Sequence, residues 1–201
     1  MKLCVLVGCS SSGKDLIMRS VLEVIKDLKP VTSHTTRPMR EGEQEGKEYY
    51  FIDIPTATDM LNNDEFIESR QYNVANGETW LYGIHKGAID IESDNKYICI
   101  VDAQGLKKLE RYFDSLGMKE CITSIYIDTN AQLRLQRSLM REGKMSDEQV
   151  KEVIRRFEND ELFVSTVKYE CDYLFKNNSV ENAIQIVSFI KDLMEGKYEE
   201  N

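Results

Sequence analysis

The residues with the clearest chemical potential lie between positions 8 and 15, in the stretch GCSSSGKD. Two glycines and a lysine fit the pattern G-x-x-x-x-G-K, placed after a short apolar run and before a helix-like stretch. In such a loop the backbone N–H groups and the positive helix end surround an anion, and the lysine adds a point charge. The stretch therefore predicts a polyphosphate-binding loop, formed by Gly8, Ser10, Ser11, Ser12, Gly13, Lys14 and Asp15.

Asp15 departs from the usual loop pattern, which has Ser or Thr after the lysine. A carboxylate in the first turn of a helix can balance the helix dipole. A bound polyphosphate would nevertheless repel this carboxylate unless a cation lay between the two anions, and Mg²⁺ prefers such hard oxygen ligands. We favour Asp15 as a direct or water-mediated Mg²⁺ ligand, and a simple helix-start acid is the alternative.

A second group of polar residues follows in the segment 33–51, SHTTRPMREGEQEGKEYYF. Arg37 and Arg40 are three residues apart on either side of Pro38, which stiffens the turn. Arginine forks match the oxygens of a monophosphate, and the hydroxyls of Tyr49 and Tyr82 can donate to the same group. The segment predicts an acceptor-phosphate site, and the alternative for any one of these residues is ordinary surface ion pairing.

Two carboxylates, Glu68 and Asp102, lie in otherwise apolar contexts, EFIE and ICIVD. A carboxylate can accept two parallel hydrogen bonds from guanine, from N1–H and the exocyclic N2, whereas adenine offers no donors on that edge. These residues therefore indicate a guanine-reading site next to the predicted phosphate site.

The elements that must position these residues alternate between short apolar strands and longer helices. Near-continuous apolar strands separated by helices are typical of a parallel sheet covered on both faces, so we expect an α/β fold with a parallel sheet flanked by helices. The predicted strands are 2–7, 98–102, 122–128 and 173–176, and the predicted helices are 14–28, 104–115, 130–141 and 179–194.

Two regions interrupt this alternation. Residues 33–86 are polar, contain the strand-like pieces 48–53 and 65–72, and predict a small inserted subdomain. Residues 137–156 carry several arginines and lysines around Gly143 and predict a basic segment between helices. The chain 1–201 is therefore expected to form a single domain, with a core of about 1–32 and 87–201.

The bulk composition narrows the functional classes. The formal net charge of −9 argues against general binding of nucleic acid, which depends on clustered Lys and Arg. No apolar run is long enough to span a membrane, and the N-terminal run ends in the glycine-rich loop, so we expect a cytoplasmic protein. The five cysteines are odd in number and widely spaced, which predicts free thiols rather than a zinc site.

The phosphate loop, the S-x-T-T-R-x-x-R segment from Ser33 and the D-x-Q-G segment from Asp102 together resemble those of guanylate kinases, P-loop enzymes of the nucleoside monophosphate kinase group. The resemblance covers nearly the whole chain. It implies Mg²⁺-assisted phosphoryl transfer from ATP to GMP by a monomer or homodimer. It also implies that Asn177 lies near the adenine, and that a lid at about 137–156 closes over the ATP phosphates with Arg137, Arg141 and either Arg156 or Arg155. The implied GMP-binding residues are Ser33, Arg37, Arg40, Tyr49, Glu68, Tyr82 and Asp102.

The chain also departs from the family pattern. Ile84 replaces the hydroxyl residue of Y-G-[ST], and Ile100 replaces an acid two residues before Asp102. The segment 73–80 is longer than the corresponding family loop. These departures keep open a kinase for dGMP or another nucleotide, and a non-catalytic guanylate-kinase-like binding module is a further alternative.

Overall fold

The computed structural model describes residues 1–40, 42–74 and 77–197, and of these the side chains of 142 and 161–166 are not described. The larger of two sheets has five strands in the order β2-β7-β1-β8-β9, all parallel. These strands are β1 (Lys2–Val7), β2 (Leu28–Pro30), β7 (Lys96–Ile100), β8 (Ile122–Asp128) and β9 (Tyr173–Lys176). The predicted α/β class with a parallel sheet is confirmed.

Side chains of the central strand alternate between the two faces of this sheet. Because both sets are apolar, helices cover both faces. Leu3 and Val5 of β1 pack on the face covered by α3, whereas Cys4 and Leu6 pack on the face covered by α1 and α6. The helices are α1 (Lys14–Val24), α2 (Ile54–Asn62), α3 (Ala103–Ser115), α4 (Ala131–Glu142), α5 (Asp147–Val167) and α6 (Val180–Glu195).

The predicted first helix is too long at its C-terminal end. Ile25 has extended backbone angles, and Leu28–Pro30 forms the edge strand β2 beside β7 instead of a last helical turn. Pro30 cannot donate a hydrogen bond to a central strand, and the edge position accommodates it. Burial of Leu28 against the sheet therefore outweighs the helix propensity of this segment, which forms a strand.

The smaller sheet has four strands in the order β4-β3-β6-β5, formed by β3 (His34–Thr35), β4 (Tyr50–Phe51), β5 (Phe66–Asn73) and β6 (Thr79–His85). Strands β5 and β6 are antiparallel, and their register shifts between Phe66 and Glu68. Such an irregularity re-aims the side chains that follow it. From Glu68 onward, alternate residues of β5 share one face of the sheet.

Candidate active site

The glycine-rich loop connects β1 to α1 and depends on two glycines with positive φ. Gly8 has φ 153° and Gly13 has φ 96°. A Cβ atom would approach the carbonyl oxygen of Ile127 to 2.6 Å at Gly8, and the side-chain nitrogen of Asn177 to 2.5 Å at Gly13. Both positions therefore require glycine for conformation and for space. Ser10 and Ser11 complete the turn of the loop and are half-buried, while Ser12 is buried.

Lys14 is the first residue of α1 and folds back over the loop. Its Nζ donates to the carbonyl oxygens of Gly8 at 2.7 Å and Cys9 at 2.8 Å. Burial lowers the pKa of Lys14 from its ordinary value, and the nearby carboxylates of Asp15 and Asp160 oppose that shift. The ammonium group is thus held by the loop itself and can turn to a phosphate that enters the loop.

An unpredicted carboxylate, Asp160 of α5, reaches the same loop. It accepts a hydrogen bond from the backbone N–H of Ser10 at 2.8 Å and pairs with Arg134 Nη1 of α4 at 2.9 Å. Arg134 is buried and lies over the ring of Phe157. Burial raises the pKa of Asp160, and the Ser10 amide, Lys14 and Arg134 oppose that shift. An anion therefore occupies one of the amide donors that a phosphate-binding loop offers.

Asn177 and Arg137 lie behind the loop and brace it. The side-chain amide of Asn177 is buried and donates to the Ser12 carbonyl oxygen at 2.8 Å. Arg137 donates to the Ser12 and Asn177 carbonyl oxygens, each at 3.2 Å. In this arrangement both side chains support the loop backbone, and the adenine contact of Asn177 and the lid role of Arg137 stay predictions.

The other lid arginines are divided between α4 and α5. Arg155 and Arg156 both bind Glu152 one turn earlier in α5, at distances of 2.7 to 2.9 Å. Partial burial alone would raise the pKa of Glu152. Hydrogen bonds from the two arginines outweigh this effect and lower the pKa to about 2. Arg141 is exposed near the end of α4. The geometry brings both Arg155 and Arg156 to the site and does not select one of them.

The predicted acceptor arginines lie in the turn after β3. Arg37 is buried, and its Nη2 donates to both carboxylate oxygens of Glu43, at 2.8 and 3.0 Å. Its guanidinium also lies 5.3 Å from the ring centroid of Tyr49. The backbone N–H of Arg40 donates to Glu43 at 2.8 Å, so Glu43 organises the whole turn. A carboxylate thus holds the place that an incoming phosphate would need.

Part of the loop and part of the predicted acceptor set line one continuous cavity, whose described lining does not include Arg37, Arg40 or Glu68. Its phosphate-loop wall contains Gly8, Ser10 and Lys14, and α5 contributes Glu152, Arg155, Arg156 and Asp160. The acceptor wall contains Ser33, Tyr49, Tyr82 and Asp102, together with Arg70, Tyr72 and Trp80. Burial raises the pKa of Tyr49 to about 12, so this hydroxyl stays a donor at neutral pH. Residues far apart in the sequence therefore form a single two-sided site.

Glu68 does not face this cavity openly, because Arg70 covers it. The Glu68 side chain is 0% exposed, and Arg70 lies 2.9 Å from it through Nε and again through Nη2. Arg70 Nη1 is 3.1 Å from Asp102, the N-cap of α3, whose carboxylate also accepts from the Gly105 N–H. The two predicted base-reading carboxylates are therefore brought together by an arginine that the motifs did not reveal.

The two isoleucines that depart from the family pattern, Ile84 and Ile100, lie in different environments. Ile84 is fully buried in the core and pairs with Glu68 across β6 and β5. Ile100, at the end of β7, lines the cavity. Of the two replacements, the one at position 100 therefore leaves an apolar side chain on the cavity wall.

Asp15 is exposed in the first turn of α1, next to Lys14. Among the residues that the structure describes, no three His, Cys, Asp or Glu side chains cluster as a metal cage. One exposed carboxylate beside a phosphate loop fits Mg²⁺, which keeps several waters and is usually bound by one or two carboxylates together with substrate phosphates.

The described residues include no helix long and apolar enough to cross a membrane.

A parallel sheet with a glycine-rich loop after its central strand, facing an acceptor wall across one cavity, defines a P-loop nucleotide kinase. The sequence model of the family described as guanylate kinase matches residues 1–195. The chain is 30% identical to the guanylate kinase of Trichodesmium erythraeum over 187 residues, 92% of each chain. It is 31% identical to that of Caldanaerobacter subterraneus over 194 residues, 94% of this chain and 85% of the relative. The chain belongs to the guanylate kinase family.

The fold agrees with that membership. The crystal structure of guanylate kinase from Anaplasma phagocytophilum superposes with a TM-score of 0.69 at 24% identity, over 100% of this chain and 87% of the other. The resemblance inferred from the sequence motifs is therefore confirmed.

Proposed function

We propose that this protein transfers the γ-phosphoryl group of ATP to GMP, giving ADP and GDP. One observation carries the proposal: the phosphate loop and the predicted GMP-binding residues Ser33, Tyr49, Tyr82 and Asp102 line the same cavity. Membership of the guanylate kinase family supports it. A phosphate oxygen of GMP attacks the γ-phosphorus, and the bond from that phosphorus to the β–γ bridging oxygen breaks.

The donor side of the cavity binds and neutralises the ATP phosphates. The N–H groups from Gly8 to Lys14 surround them, and Lys14 exchanges its loop carbonyl partners for phosphate oxygens. Arg137, Arg141 and Arg156 (or Arg155) add positive charge as charge spreads over the transferring group. Asp15 would hold Mg²⁺ together with the nucleotide phosphates, and the cation would supply further charge neutralisation.

The acceptor side orients GMP. Arg37 and Arg40, with the Tyr49 and Tyr82 hydroxyls, bind its phosphate, and Ser33, Glu68 and Asp102 bind its base. No general base is required, because the attacking phosphate oxygen is already ionised at neutral pH. The main task of these residues is positioning, together with exclusion of water that would otherwise hydrolyse ATP.

An acceptor screen tests this proposal. We expect kcat/KM with ATP and Mg²⁺ to be highest for GMP among GMP, dGMP, AMP, CMP, UMP and dTMP. A higher kcat/KM for any other acceptor in that set would contradict the proposal.

A further inference from the structure

Arg70 of β5 sits between the two carboxylates that are proposed to read the base. Its side chain is 6% exposed, and it contacts Glu68, which is 0% exposed, and Asp102, which is 39% exposed. The contacts are 2.9 Å to each Glu68 oxygen and 3.1 Å to Asp102 Oδ1. All three charged groups are thus joined in one cluster at the cavity wall.

The local structure is built to hold this guanidinium. Glu68 and Arg70 are two residues apart on one strand, so they share a face of the sheet. Asp102 is fixed as the N-cap of α3 by the Gly105 N–H at 2.8 Å. A Cβ at Gly105 would lie 2.9 Å from Arg70 Cζ, so the absent side chain at that position leaves room for the guanidinium.

The charge of Arg70 favours the ionised form of Glu68. Burial raises the pKa of Glu68, the charge of Arg70 opposes this shift, and Asp102 raises the pKa further. Other titratable groups that act on the cluster are Lys108 of α3, Cys99 of β7, Tyr49 and Lys14 of α1. Without Arg70, two like charges would remain close together, one of them fully buried, and such a carboxyl takes up a proton.

We propose that Arg70 is a positioning residue for base recognition, which holds Glu68 ionised and fixes Glu68 and Asp102 at the base end of the acceptor site. This inference rests on the proposed function, because it takes Glu68 and Asp102 as the groups that bind guanine. Arg70 acts through these carboxylates and makes no contact with the reacting phosphates.

A purely structural role for Arg70 would give a different experimental result from the proposed positioning role. Loss of a strand-to-helix contact would lower stability at every pH, whereas loss of the counter-charge makes GMP binding depend on pH. Ionised Glu68 is needed to accept from guanine, so GMP affinity falls as pH drops through the raised pKa of Glu68. Below that pKa, binding GMP must release the proton from Glu68.

The test is calorimetric titration of GMP between about pH 5.5 and 8.5, each pH in two buffers of different ionisation enthalpy, which reports the protons released. For Arg70→Met we expect affinity about 10-fold weaker at the acidic end than at the basic end, with release of up to about one proton. Arg70→Lys keeps a charge but loses the fork, so its binding is weaker at all pH values with little pH dependence. Glu68→Gln in the Arg70→Met background removes the titrating group and flattens the profile.

Two further measurements separate the possible outcomes. Lys26→Met, at an exposed lysine beyond the end of α1, serves as the control and leaves the profile of the unmodified protein unchanged. Arg70→Gln replaces Arg70→Met if circular dichroism shows that the latter is unfolded. The inference would be overturned if a folded charge-deleting variant had the same pH profile as the unmodified protein. It would also be overturned if both Arg70→Met and Arg70→Gln failed to fold. Failure of the unmodified protein to bind GMP would instead overturn the proposed function.

Discussion

At the scale of single residues, the proposed binding groups are already engaged with neighbours in this structure. Lys14 binds loop carbonyls, Arg37 binds Glu43, and Arg70 binds Glu68. Charge-assisted contacts of this kind keep buried cations paired and prevent them from being left without a counter-charge. We infer that nucleotide binding exchanges protein partners for phosphate at Lys14 and Arg37.

Replacement of either acceptor arginine should weaken GMP selectively. Loss of one charge-assisted contact costs about 1.5–3 kcal/mol, so we expect the KM for GMP to rise roughly 10- to 150-fold in Arg40→Ala, with the KM for ATP unchanged. Arg37→Ala should have a similar effect and also lower Tm, because Glu43 loses its contact with the buried guanidinium and keeps only the Arg40 N–H. Arg111→Ala is the control, and an equal rise in both KM values would contradict the acceptor-phosphate role.

Asp15 should control the magnesium requirement of turnover. If its carboxylate binds the cation directly or through water, Asp15→Ala raises the Mg²⁺ concentration for half-maximal activity without changing Tm. Asp15→Ser restores the common loop hydroxyl and should retain much of the activity. Glu23→Ala, at an exposed acid of the same helix, should match the unmodified protein. An unchanged magnesium midpoint in Asp15→Ala would make Asp15 a helix-start acid only.

At the scale of elements, α5 joins the two halves of the site. Its first half carries Glu152, Arg155 and Arg156 into the cavity, and its Asp160 accepts from the loop amide of Ser10. The Asp160 carboxylate and the ATP phosphates therefore compete for one donor.

Removal of the Asp160 charge should therefore favour ATP while weakening the fold. Asp160→Asn relieves the competition, so the KM for ATP should fall about 2- to 10-fold, the range set by one modest hydrogen bond. Tm should also fall, because buried Arg134 loses its counter-charge. The exposed neighbour Glu158 provides the control variant Glu158→Gln. A higher KM for ATP in Asp160→Asn would show that the carboxylate assists ATP rather than competing with it.

The parallel sheet could be predicted from the sequence because its strands are apolar and short. Strands at 2–7, 122–128 and 173–176 were located to the residue. The end of α1 was not, since burial of Leu28 in β2 is a tertiary effect that local propensity does not record. The start of helix α2 is marked by local signals in the sequence, because Asp53 accepts a hydrogen bond at its N-terminus and Pro55 lies in its first turn.

The site was predictable where a motif is contiguous and not where contacts are long-range. Ser10 and Asp160 are 150 residues apart, so nothing in the local sequence joins them. Arg70 carried a usable signal, because Glu-x-Arg on a strand places both charges on one face. Its second partner, Asp102, comes from α3 and is visible only in three dimensions.

At the scale of the whole molecule, the cavity lies between two sheets of different character. The parallel sheet presents the loop at the carboxyl end of its central strand β1, as is usual for ligand sites in open α/β sheets. The smaller, mixed sheet presents Tyr72 and Tyr82 from β5 and β6. Two substrates can thus meet with their phosphates between the sheets, which is what direct phosphoryl transfer requires.

Transfer of label from γ-labelled ATP to GMP, measured with the unmodified protein and with Lys14→Ala, tests this central claim most directly. We expect labelled GDP from the unmodified protein and none from Lys14→Ala, because the variant lacks the charge that binds the outer phosphates. Calorimetric GMP binding should be nearly the same in both proteins, since the predicted GMP-binding residues Ser33, Tyr49, Tyr82 and Asp102 lie on the other wall of the cavity. Label transfer by Lys14→Ala at the rate of the unmodified protein would contradict the account.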